Sequence, residues 1–83
     1  MALPNKIKLV ERKLGREKAL GMAHQKENII EICTNQSSKE RLDTVIHETL
    51  HLLNPNMSEK LVNSYANRIA KVLWKDNWRK ITK

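Results

Sequence analysis

The sequence predicts an α+β fold, a three-stranded antiparallel meander followed by an antiparallel two-helix hairpin, on three observations. Before Thr34 the apolar residues alternate with polar ones or cluster in β-branched runs. After Gln36 they recur at helical spacing. The two halves meet at Asn35-Gln36-Ser37-Ser38, a polar stretch that carries a helix-capping pattern.

The first strand is expected over Lys6-Ile7-Lys8-Leu9-Val10-Glu11-Arg12, which alternates over its first half as a half-buried strand does, and Gly15 offers a turn after it. A second strand is expected over about Lys18 to Gln25. It puts Leu20, Met22 and His24 on one side and Ala19, Gly21 and Ala23 on the other, although the small residues lower its strand propensity. Gln25 to Asn28 form a polar turn, and Asn28-Ile29-Ile30-Glu31-Ile32-Cys33 is rich in β-branched residues.

Ser37 followed three residues later by Glu40 is a capping box, which starts a helix near Ser38. Leu42, Val45, Ile46, Thr49, Leu50 and Leu53 then form one stripe facing a core. Asn54-Pro55-Asn56 ends that helix, because the residue before proline avoids helical dihedrals. Ser58 can cap the next, in which Leu61, Val62, Tyr65, Ala66, Ile69, Val72 and Leu73 form a second stripe running to about Asp76. Trp74 and Trp78 lie one turn apart if the helix continues, with Ile81 beyond, and read as packing anchors.

The chain of 83 residues reads as a single domain, 1–83, too small for a deep substrate cavity. Its one cysteine, Cys33, excludes an intramolecular disulfide and a Cys-rich zinc knuckle. The first residues lack the apolar core of a signal peptide and no apolar run is long enough to span a bilayer, so a soluble, cytoplasmic protein is expected. Sixteen Lys and Arg against nine acids give a net charge of +7. Nucleic acid is therefore a possible partner, although a solvated basic surface accounts for most such patterns and only Trp74, Trp78 and Tyr65 can stack on bases.

The chemistry concentrates in His47-Glu48-Thr49-Leu50-His51. On a helix this spacing places both imidazoles on one face, one turn apart, where they can chelate one metal ion. The alternative is a surface helix that happens to carry two histidines. A catalytic zinc takes three protein ligands and a water, and after His51 the only acids are Glu59 and Asp76. If the helices fold back about Pro55 and Asn56, Glu59 comes opposite His51, whereas Asp76 lies about five turns into the second helix. His24 enters as a ligand only if the second strand crosses above the metal. Asn63, one turn beyond Glu59, can accept a hydrogen bond from a ligand imidazole, and Asp43, one turn before His47, can orient it or serve the helix dipole.

With these residues in place the chain resembles the zincin metallopeptidases, whose active-site helix carries His-Glu-x-x-His. More narrowly it looks like the gluzincins, in which a glutamate on a following helix is the third ligand, often as Glu-x-x-x-Asp. Glu59-Lys60-Leu61-Val62-Asn63 matches at the glutamate and has Asn63 in place of the aspartate. Its size and order of elements are similar to small zincin-like proteins of bacterial and phage genomes. The resemblance implies one Zn2+ held by His47, His51 and Glu59, Glu48 as general base, and a peptide or protein substrate. Family members use a His, Tyr or Arg from a second subdomain to stabilise the tetrahedral intermediate. No such subdomain is present, and Tyr65, Arg68 and His24 are the candidate substitutes. An extended substrate is expected to pair with the edge of the second strand. The rival expectations are a non-catalytic domain stabilised by zinc and a basic nucleic-acid-binding module.

Overall fold

The computed structural model describes residues 5–14 and 20–79, and these form an α+β structure with a three-stranded mixed sheet and two helices. The order is β1 (Lys8–Arg12), β2 (Gly21–His24), β3 (Ile29–Cys33), α1 (Ser38–Leu53) and α2 (Glu59–Lys75). The expected Gly15 turn, the Lys18-Ala19 start of the second strand and Ile81 lie outside the described residues.

The sheet corrects the expected meander. Its order is β1-β3-β2, with β3 antiparallel to β2 and parallel to β1, so the consecutive strands β1 and β2 occupy opposite edges. The physical reason is hydrophobic. β3 is the most apolar strand, and it takes the position flanked on both sides: Ile30, Ile32 and Cys33 are buried, while β1 and β2 hold no buried residue. The β2–β3 connection is a local hairpin closed by Asn28 at φ 55°, a left-handed conformation that asparagine tolerates. Between β1 and β2 there is no Asn-Gly or Asp-Gly pair of the kind that closes a tight hairpin.

The register assigns the two faces. Gly21, Ala23, Ile30, Ile32, Leu9 and Glu11 share the face turned to α1, as Glu11 accepting from Arg41 at 2.9 Å attests. His24, Glu31 and Arg12 share the other, where Glu31 accepts from Arg12 and lies 2.5 Å from His24 Nε2.

α1 begins as expected. Ser37 Oγ accepts the Glu40 N–H at 3.2 Å while the Glu40 carboxylate accepts the Ser37 N–H at 3.2 Å. The helix packs on β2 and β3 on one side and on α2 on the other, and among the described residues α2 touches no strand. Burial is therefore spread around α1. Thr44 and Leu52 are its buried residues, and the Leu42 to Leu53 stripe is half-buried. On α2 the buried positions are Val62, Ala66 and Ala70, one per turn, whose small side chains allow a close approach to α1. Leu61, Tyr65, Ile69 and Val72, expected in the core stripe, are exposed.

α2 ends at Lys75 with Asp76 as its cap, as expected, and does not continue to Trp78. Asn77 takes φ 65°, its N–H bonds the Trp74 carbonyl at 3.1 Å, and the Trp78 N–H bonds the Leu73 carbonyl at 3.0 Å, which is a Schellman cap. Trp74 is half-buried with the Arg79 guanidinium 3.8 Å from its ring centroid, whereas Trp78 is exposed. No helix among the described residues is long and apolar enough to cross a membrane.

Candidate metal centre

His47 and His51 stand one turn apart on α1, with ring centroids separated by 4.8 Å and ring planes inclined at 66°. Glu59 reaches both of them from the first position of α2, which Ser58 starts by accepting the Leu61 N–H at 3.2 Å. Its Oε1 lies 2.9 Å from His47 Nε2 and its Oε2 lies 2.8 Å from His51 Nε2. The two Nε2 atoms are 3.1 Å apart. Among the described residues these three form the one group of His, Cys, Asp or Glu donors able to hold a metal ion.

Hydrogen bonding alone does not satisfy this triangle. If both imidazoles donate to Glu59, both carry a proton on Nε2, and the 3.1 Å contact between the rings sets donor against donor. If one ring instead accepts from the other, its lone pair faces a carboxylate oxygen. The two short contacts use different Glu59 oxygens, and with one donor atom from each residue the three lie within 4.8 Å of one another. The imidazoles are largely shielded, whereas the Glu59 side chain is 63% exposed, so the centre sits at the surface of the helix pair.

Glu48 projects from α1 toward β2. It lines a cavity of about 300 Å³ together with Gly21, Thr44, His47 and Asn63. Burial raises its pKa above the ordinary glutamate value, opposed by the charges of His47 and His51 and reinforced by that of Glu59.

The approach of β2 to Glu48 depends on Gly21. A Cβ there would lie 2.8 Å from Thr44 Cγ2, 2.9 Å from Glu48 Cγ and 3.0 Å from the Glu31 carbonyl oxygen. The glycine that lowers strand propensity is what lets the strand lie against the motif helix.

Gln36 secures the same junction: its amide donates to the Leu20 and Cys33 carbonyls at 3.2 and 2.9 Å, and its oxygen accepts from Thr44 at 2.9 Å. Gln25 donates to the His51 carbonyl at 3.2 Å and ties the β2–β3 turn to α1. Neither glutamine stood out in the sequence. The available signals were a glycine inside a strand and a threonine, Thr44, in mid-helix.

The other candidates divide. Asn63 and Asp43 line the cavity beside His47 and Glu48, and neither makes a hydrogen bond to an imidazole. His24 is not brought to the centre, because the register puts it on the outer face of the sheet, paired with Glu31. Arg68 bonds Ser64 and lines the neighbouring depression with Asp43 and Asn63. Tyr65, two positions from Asn63 and so on the other side of α2, is exposed. Comparison with protein-family models, curated proteins and solved structures returned no match.

Proposed function

We propose that the protein is a zinc-dependent metallopeptidase with His47, His51 and Glu59 as zinc ligands and Glu48 as general base. The observation that carries this is the convergence of two imidazole nitrogens and a carboxylate, from two different helices, at separations of 2.8 to 3.1 Å. Two imidazoles and one carboxylate are a donor set that suits zinc. We read the helices as an antiparallel hairpin about Asn54–Met57, since Glu59 meets His51 and His47 while Asn63 and Asn67 share a depression with Asp43. Such a hairpin brings a carboxylate just after the turn against imidazoles just before it.

His47, His51 and Glu59 would hold the ion, which when bound would supply a water of lowered pKa and a Lewis acid for the scissile carbonyl. Glu48 takes a proton from the attacking water and delivers it to the departing amine. β2 is an edge strand of the sheet and borders the same cavity through Gly21, so its outer edge is open to pairing with an extended peptide.

The test compares the purified wild type with Glu48→Gln for metal content and for digestion of a peptide library. One equivalent of zinc in both and hydrolysis by the wild type alone is the expected result. Hydrolysis by Glu48→Gln removes the assigned base, absence of zinc removes the centre, and zinc without any hydrolysis leaves a metal-stabilised domain.

A further inference from the structure

The cavity at Glu48 does not end at the metal centre. It shares Asp43 and Asn63 with a second depression of about 560 Å³, and that one shares Asp43, Asn67 and Lys71 with a third that reaches Lys39. Together they form a continuous groove along the seam of α1 and α2. From Asn63 to Lys71 it follows α2 for about 12 Å at 1.5 Å per residue. That length accommodates roughly three to four residues of an extended chain.

The charge lining the groove is one-sided. In the second and third depressions Lys39, Arg68 and Lys71 are set against Asp43 alone, while Glu48 lines the end beside His47. Arg68 bonds the Ser64 hydroxyl, and neither Lys39 nor Lys71 makes an ion pair or hydrogen bond with a described residue. Asp43 makes no ion pair with any of the three. The remaining wall includes the amides of Asn63 and Asn67, which can donate to and accept from a peptide backbone. No Phe, Tyr or Trp ring lines the three depressions, so the groove lacks the large stacking platforms that single-stranded nucleic acid uses.

We infer that this groove binds an acidic segment of a polypeptide substrate, with Lys39 and Lys71 selecting carboxylates a few residues from the scissile bond. The inference rests on the peptidase assignment for its link to cleavage, and its test is a binding measurement that does not depend on cleavage. The purified full-length protein is titrated against two fluorescein-labelled octapeptides, one carrying glutamates and the other glutamines at the same positions, and anisotropy is read at low salt. The glutamate peptide is expected to bind about two- to 25-fold more tightly, from two exposed ion pairs of about 1.4- to fivefold each. Lys39→Glu and Lys71→Glu should each erase most of that preference without changing metal content.

Equal binding of the two peptides overturns the inference, as does a preference that survives both substitutions. Tighter binding of an oligonucleotide of equal charge, sensitive to the same substitutions, overturns the polypeptide assignment. A parallel digest keeps the two claims apart. Acid-selective binding with no cleavage of any peptide sustains the groove and removes the peptidase, whereas cleavage without acid preference does the reverse.

Discussion

Replacing Glu59 by alanine separates a metal centre from an incidental cluster. Without metal, Glu59 is an exposed partner of two imidazoles, and its loss should change stability by no more than about 1 kcal/mol. With metal, it is one of three ligands. At free zinc one hundred times the dissociation constant, binding to the folded state adds about 2.7 kcal/mol. Loss of a ligand that weakens affinity by about 100-fold leaves about 0.4 kcal/mol at the same zinc concentration. For a domain of this size 1 kcal/mol moves the melting temperature by about 4–8 °C. The wild type should therefore melt roughly 10–20 °C higher with zinc than with chelator, and Glu59→Ala only about 2–3 °C higher. Paired thermal melts with buffered zinc and with chelator measure both shifts. An equal zinc-dependent shift in the two proteins refutes the role of Glu59, and no shift in either refutes the centre.

Gly21→Ala should destabilise the fold by about 1–3 kcal/mol, because the new methyl meets Thr44, Glu48 and the Glu31 carbonyl within 3.0 Å and Thr44 is buried with its hydroxyl within hydrogen-bond reach of Gln36 and the Glu40 carbonyl. Urea titration gives the magnitude, and a midpoint equal to wild type would show that the strand yields without cost. The Glu31 carboxyl is held below the usual glutamate range by hydrogen bonds from Arg12 and His24. Its stabilising contribution is therefore complete above the unfolded value near pH 4 and is lost as pH falls through the lower folded value. Glu31→Gln should be less stable than wild type at pH 6 and lose less stability between pH 5 and pH 3. Denaturation midpoints across that range check it, and parallel pH curves for the two proteins would contradict it.

What the sequence disclosed and what it hid follow from the range of the interactions. The cap at Ser37 and Glu40, the break at Pro55 and the His47–His51 spacing each involve residues within a few positions of one another, and they were legible. Glu59 was accessible too, because a short turn leaves few acids able to meet His51. Strand order was not legible, since the pairing of β1 with β3 joins Lys8 to Ile29 across an intervening strand that alternation patterns do not rank. His24 depended on the same missing information. Its face follows from its pairing with Ile29 and not from its own neighbourhood. On α2 the apolar residues outnumber the positions that α1 can cover, so periodicity identified the helix but not the buried half of its stripe.

All three proposed ligands fall between positions 47 and 59, and none comes from the sheet. Capture of an ion then closes only a short loop, an event with a small entropic cost that does not wait for β1 to find its place beside β3. The environment of Glu48 and the strand edge beside it, by contrast, require Gly21 to reach the helix from across the chain. On the proposed assignment, affinity for metal and competence in cleavage are encoded at different distances along the sequence. Sequence change in the sheet can erode the second while leaving the first intact.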